Sequence, residues 1–214
     1  MINEFKKILD WIYKEKCYFC KNSKYSTKMC DECYEEMDFL PVKTNRIVEG
    51  VNIYCCGTYN KNLQKLIRGL KYHNQKDLAY YQAKFMVEYW QRLNLGNDFD
   101  VVPVPIYFKR ERKRKYNHMK LVAEEFCKLT TNTTNYELIK RIKDTKPQYR
   151  LSKKERANNL NKAFEVTPKY NNKKILIIDD ICTTGSTFEE MIKEFKKHNI
   201  TDITCLATTT PFEE

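Results

Sequence analysis

Two adjacent carboxylates, Asp179 and Asp180, close the apolar run Ile175-Leu176-Ile177-Ile178 and precede Ile181-Cys182-Thr183-Thr184-Gly185-Ser186-Thr187. Four consecutive apolar residues suit a strand buried on both faces of a parallel sheet. Phe188, Met191, Ile192 and Phe195 then follow at helical spacing, so the hydroxyl-rich run lies between the end of a strand and the start of a helix. Open α/β sheets hold ligands at that edge. The free N–H groups and the dipole of a first helical turn favour an anion there. Thr183, Thr184, Ser186 and Thr187 add donors, and Gly185 permits a tight turn. The two acids would repel a phosphate, so they must face another part of the same ligand, and sugar hydroxyls are good donors to carboxylate. A 5-phosphosugar meets both demands. The plainer alternative, acids that cap the helix and hydroxyls that fill a turn, leaves the apolar strand in front of them unexplained.

A second cluster lies near the other end of the chain. Cys17 and Cys20, then Cys30 and Cys33, form two C-x-x-C pairs with nine residues between them. Such spacing turns four sulfurs toward one ion, and Zn²⁺ accepts four thiolates in a closed tetrahedral shell at about 2.3 Å. The segment between the pairs is short and polar, so a metal would supply its folding free energy. A closed shell leaves no open coordination position, and the role expected of this zinc is structural. The alternative, a redox pair, belongs at a strand–helix junction, which this segment does not resemble. Cys55, Cys56, Cys127 and Cys205 lie in apolar surroundings and read as packing residues. Cys182 has two open readings, a reactive thiol beside a helix N-terminus and a packing residue.

The elements that must position these groups follow from periodicity. Ile2, Phe5, Ile8, Leu9 and Ile12 predict an amphipathic helix over 1–13, and a small module over 1–41 holds this helix and the cysteine pairs. A larger domain is expected over 50–214. Strands are predicted at 51–59, 100–105, 174–179 and 203–207, and helices at 62–70, 76–93, 117–129 and 188–197. This alternation implies an α/β fold with a parallel sheet and flanking helices.

Composition narrows the function classes. The 214 residues include 39 Lys plus Arg against 28 Asp plus Glu, a formal net charge of +11 that favours polyanions without choosing among them. Five scattered glycines exclude both G-x-x-x-x-G-K-[ST] and G-x-G-x-x-G. A mean hydropathy of −0.71 and the lack of a long apolar run exclude a membrane span. No export signal is visible, so a cytoplasmic location is expected, and disulfides are not.

The run from Ile175 to Thr187 resembles the phosphoribosyl pyrophosphate motif of type I phosphoribosyltransferases. Further matches resemble the ComF family, a competence-protein branch of that fold. They are the cysteine pairs with Tyr34 and Phe39-Leu40-Pro41, then Leu66-Ile67 through Leu70-Lys71-Tyr72. Val102-Pro103-Val104-Pro105 with Arg114, Tyr116 and Asn117 follows, and last a stretch with Arg141, Thr145, Gln148, Leu151, Arg156, Asn159 and Ala163-Phe164. Lys115 and His118 depart from the family, which usually has Gly and Gln at those positions.

The resemblance implies a phosphoribosyltransferase-like domain behind an N-terminal zinc module. It implies ribose-binding or catalytic roles for Asp179 and Asp180, a phosphate loop at Thr183, Thr184, Gly185, Ser186 and Thr187, and Mg²⁺ bound with phosphoribosyl pyrophosphate. Lys71 is the candidate for the pyrophosphate. The basic run 109–115, with Arg110, Arg112 and Arg114 ahead of Asn117, reads as a flexible loop. It would either close over pyrophosphate or line a nucleic-acid path, and Asn158, Asn159 and Arg156 are candidates for the same mobile region. His73 and His198 read as surface residues. Two functions follow. One is a competence factor that handles incoming single-stranded DNA with a helicase partner. The other is an active phosphoribosyltransferase serving a nucleobase or amine. A homo-oligomer is compatible with both.

Overall fold

The computed structural model describes residues 16–23, 27–145, 160–168, 170 and 173–211. The expected helix over 1–13 and the positions Gln148, Leu151, Arg156, Asn158 and Asn159 lie outside the described residues. The chain divides into two compact units, one ending at Asp38 and the other beginning at Phe39.

In the smaller unit, Lys21 N–H donates to the Cys17 carbonyl at 3.0 Å, which closes the first C-x-x-C turn. The second pair leads into helix α1 (Asp31–Glu35), whose first-turn acids Asp31 and Glu32 complement the helix dipole.

In the larger unit the elements run β1 (Arg46–Val48), β2 (Val51–Thr58), α2 (Lys61–Tyr72), α3 (Leu78–Leu93), β3 (Phe99–Pro103), α4 (Phe108–Arg114), α5 (His118–Leu129), β4 (Thr133–Thr134), β5 (Ile139–Arg141), β6 (Phe164–Val166), β7 (Lys174–Ile181), α6 (Ser186–Lys197) and β8 (Ile203–Thr210). Among the described residues, six strands form one sheet in the order β1-β2-β8-β7-β3-β4. β1 is the antiparallel edge and the other neighbours are parallel. β5 and β6 form a separate antiparallel pair.

The sheet is buried on both faces because strand residues alternate in direction. Ile175 and Ile177 of β7 join Ile53, Cys55, Cys205 and Ala207 in a core closed by Phe188, Met191, Ile192 and Phe195 of α6 and by residues of β5 and β6. On the opposite face, Gln82 of α3 donates to Thr208 Oγ1 at 2.7 Å, and Trp90 meets Phe99 and Phe126 edge-on. Cys182, 4% exposed, packs in the first core with Cys55 and Cys205, the packing reading of that thiol.

The chain steps from β7 to β8 in one direction along the sheet and from β3 to β4 in the other. The switch point therefore falls between β3 and β7, where a doubly wound sheet opens its ligand crevice. β7 also outruns β3, since their pairing ends at Pro103 with Ile178, and Val104 N–H adds a last bond to the Ile178 carbonyl.

The structure departs from the sequence-based elements at three places that matter for the site. β7 continues through Asp179 and Asp180 to Ile181, held by pairing of Ile181 with Thr209 of β8. α6 begins at Ser186, so Ser186 and Thr187 belong to its first turn. The basic run is helical rather than a loop. α4 buries none of its residues, and Lys115 ends it in the left-handed region at φ 65.

Candidate functional site

Because the two acids are consecutive in a strand, their side chains point to opposite sides of β7. Asp180 faces α2 and α5. Its Oδ2 accepts from Lys71 Nζ at 2.6 Å and from His118 Nε2 at 2.5 Å. Lys71 stands in the last turn of α2, a helix capped by the Asn60 side chain, which accepts from Leu63 N–H. His118 opens α5, whose cap is Asn117, with Oδ1 accepting from Met119 N–H at 3.0 Å. The Asp180 carbonyl accepts from Thr209 Oγ1, and this bond ties the acid's backbone to β8.

These contacts set the charges. Burial works to raise the Asp180 carboxyl, but the Lys71 charge and the His118 bond outweigh it and hold Asp180 well below the usual carboxylate range. Lys71 is raised in return: burial opposes its charge and Asp180 more than compensates. Burial is also the largest influence on His118, which is held below the ordinary imidazole value; Asp180 pulls it up, while Lys71 and Arg114 push it down. Asp179, half-buried, is raised by burial and by the Asp180 charge.

The hydroxyl run forms the turn between β7 and α6. Gly185 caps α6 at φ 81, and Thr184 Oγ1 and Ser186 Oγ share a 2.7 Å hydrogen bond across it. A Cβ at position 185 would lie 3.4 Å from Arg46 Cδ, 3.5 Å from an Arg46 guanidinium nitrogen and 3.5 Å from Val48 Cγ2. Arg46 and Val48 are two apart on β1 and so share a face, which covers the glycine. A guanidinium thus stands at the positive end of a helix, an arrangement that an anion between them would relieve. Sequence reading missed Arg46, which lies outside the predicted strands and reaches the loop only through the β1–β2 pairing.

On the Asp179 side, Arg141 of β5 donates to Thr145 Oγ1, and Arg110 of α4 donates to the Thr145 carbonyl. Burial and the Arg110 charge press against the Arg141 cation, while Asp179 and Asp144 favour it. Arg141 Nε is buried and finds no partner among the described residues; the same holds for Asn117 Nδ2 and His118 Nδ1.

The structure therefore brings Lys71, Asp180 and His118 together, with Arg110 near Arg141. It does not bring Arg112 or Arg114 onto the acids. Arg112 lies over the Phe108 ring at 5.7 Å, and Arg114 over the Tyr72 ring at 5.4 Å.

In the smaller unit, the sulfurs of Cys17, Cys20, Cys30 and Cys33 lie within 4.8 Å of one another, and Cys20 Sγ and Cys30 Sγ are 3.7 Å apart. Tetrahedral zinc–thiolate bonds of about 2.3 Å require sulfurs about 3.8 Å apart, so the four fit a single such ion. Cys30 N–H donates to Cys17 Sγ at 3.5 Å. Burial raises the Cys17 thiol, but backbone hydrogen bonds outweigh it and bring it down to about 6; burial raises Cys30 to about 11 and Cys33 further. Four thiolates cannot ionise together at this spacing without a cation among them. The cluster can hold a metal ion.

Residues 128–211, from the end of α5 through β8, match the phosphoribosyl transferase domain family. This span contains both acids, the hydroxyl run and α6. The chain is also 27% identical over 200 residues to competence protein F of Haemophilus influenzae, covering 87% of this chain and 86% of that one. The chain is similar to the ComF family. The chain is also similar to the DNA utilization proteins YhgH of Salmonella typhimurium and Escherichia coli K12, each 26% identical over 137 residues, 62% of this chain and 60% of theirs. The α/β fold with its mostly parallel sheet agrees with the phosphoribosyl transferase match, and a four-cysteine cluster lies near the N-terminus. Among the described residues, no helix is long and apolar enough to cross a membrane.

Proposed function

We propose that this protein binds phosphoribosyl pyrophosphate, or a closely related phosphosugar, beyond the end of β7, and that it serves in competence by handling incoming single-stranded DNA beside a helicase partner. Its cysteine cluster holds a structural zinc ion. The observation that carries the reading is an acid pair, with Lys71 seated on one acid, immediately followed by a hydroxyl-lined helix N-terminus. Asp179 and Asp180 take the ribose hydroxyls. Thr183, Thr184, Gly185, Ser186 and Thr187 take the 5-phosphate, with Arg46 above them. Lys71, Arg110 and Arg141 supply cations for the pyrophosphate, and Mg²⁺ accompanies that group.

DNA handling is supported by a different surface. Tyr72 and Phe108 are 58% and 50% exposed, and each carries an arginine over its ring. Exposed aromatic faces beside cations are the usual means of holding unpaired bases and their phosphates. α4 contributes nothing to the core, so its basic residues are not there for packing.

A second reading, transfer of phosphoribose to a nucleobase or amine, uses the same site. The observation in its favour is that cations stand on both sides of the acid pair, where a departing pyrophosphate needs them.

Ligand stabilisation tests the binding site. Phosphoribosyl pyrophosphate with Mg²⁺ at a hundredfold excess over Kd adds about 2.7 kcal/mol to a folded state that binds it, a rise of several degrees in melting temperature. A protein carrying Thr184→Val and Ser186→Ala should show a much smaller rise. An equal rise in both would remove the hydroxyl run from the site. Pyrophosphate release on adding a panel of bases tests turnover.

A further inference from the structure

His118 is the buried ionisable group that the reading above leaves without a role. It is 3% exposed, it bonds Asp180 at 2.5 Å, and its other ring nitrogen finds no partner among the described residues. Both donors to Asp180 fall on one oxygen, Oδ2: Lys71 Nζ at 2.6 Å and His118 Nε2. In the free protein the two are redundant, because either alone would keep the buried carboxylate bonded.

They differ in freedom. The Lys71 side chain is 18% exposed and ends a helix, whereas the His118 side chain is 4% exposed and is fixed in the first turn of α5 behind the Asn117 cap. A pyrophosphate carries more negative charge than one carboxylate and attracts the movable cation. If Lys71 turned to it with nothing else on Asp180, a buried carboxylate would lose its hydrogen bond, a costly state.

We propose that His118 is a positioning residue: its Nε2–H holds the Asp180 carboxylate in place, so that Lys71 can leave Asp180 for the pyrophosphate of an incoming ligand. This inference rests on the phosphosugar reading of the site. The ring is suited to the task as a neutral donor. With the proton on Nε2, Nδ1 carries only a lone pair, in keeping with its lack of a partner, and the ring adds no charge to compete for the anion. Glutamine can donate from its amide to the same oxygen without a charge.

Two ligands separate this role from a merely structural one. Ribose 5-phosphate lacks the pyrophosphate and leaves Lys71 on Asp180; phosphoribosyl pyrophosphate draws Lys71 away. Calorimetric titration of both into the wild-type, His118→Leu and His118→Gln proteins should show that Leu weakens phosphoribosyl pyrophosphate binding about tenfold or more, ribose 5-phosphate binding by less than threefold, and that Gln restores both. Leucine fills the buried space and removes only the donor, and matched melting curves would show that the Leu variant folds. An equal loss for both ligands in the Leu variant, or a Gln variant as weak as the Leu variant, would overturn the inference while the phosphosugar reading stood. A wild-type protein that bound neither ligand would end both.

Discussion

Gly185 is the residue whose replacement should be least tolerated. At φ 81 a side chain costs about 1 kcal/mol in backbone strain, and its Cβ would press on Arg46 at 3.4 Å. Gly185→Ala should lower both stability and phosphosugar affinity; an unchanged affinity would mean that the phosphate does not sit there. Arg46 allows a complementary test. Arg46→Gln should weaken ribose 5-phosphate binding about tenfold, the scale of one lost charge-assisted hydrogen bond, with little change in melting temperature. Lys115 occupies a left-handed position at φ 65, which glycine adopts without a Cβ penalty, so Lys115→Gly should raise stability by about 0.5–1 kcal/mol. A lower denaturation midpoint would contradict that assignment. Asp180 links the site to acid stability. Its carboxyl is depressed in the folded protein, so its contribution is complete above the unfolded value near about 4 and is lost as the pH falls below it. Asp180→Asn should flatten the acid limb of the stability curve.

At the scale of elements, the exposed helix α4 is the part that can be changed without touching the core. Reversing charge at Arg112 and Arg114 should weaken single-stranded DNA binding and make its salt dependence shallower by about 0.7 in log–log slope per lost phosphate contact. DNA binding left intact would take α4 out of the nucleic-acid path. Its helical state could not be read from a run of cations with no apolar face, since periodicity registers only what is buried. The central strands and long helices were legible for the opposite reason. Ile175 to Ile178 is buried on both faces, and the apolar residues of α2 and α6 repeat at 3.6. The acids and hydroxyls could therefore be located at a sheet edge from sequence. What surrounds them could not. Arg46 reaches Gly185 across 139 residues of chain, and Arg141 belongs to a three-residue strand too short to carry a pattern. His118 stood out in sequence only as a departure from glutamine; its bond to Asp180 is a product of the tertiary fold.

For the whole molecule, the two units pose separate questions. The smaller one brings the sulfurs of its four cysteines within 4.8 Å of one another, where a bound metal ion would add to its folding free energy. Cobalt substitution should give the spectrum of a tetrahedral tetrathiolate with one ion per chain, and Cys33→Ser should abolish it; octahedral cobalt would contradict a closed four-thiolate site. The larger unit carries the phosphoribosyltransferase-type fold and the acid pair at its switch point. The likeness to competence protein F runs over 87% of the chain, and the central claim is that the switch point is a working phosphosugar site. The most direct measurement is calorimetric titration of phosphoribosyl pyrophosphate with Mg²⁺ into the wild-type protein and into a protein with both Asp179→Asn and Asp180→Asn. Saturable binding at one site per chain is predicted for the wild type, with no detectable binding by the double variant. A wild-type protein without binding heat, or a double variant that binds as tightly as the wild type, would contradict the assignment.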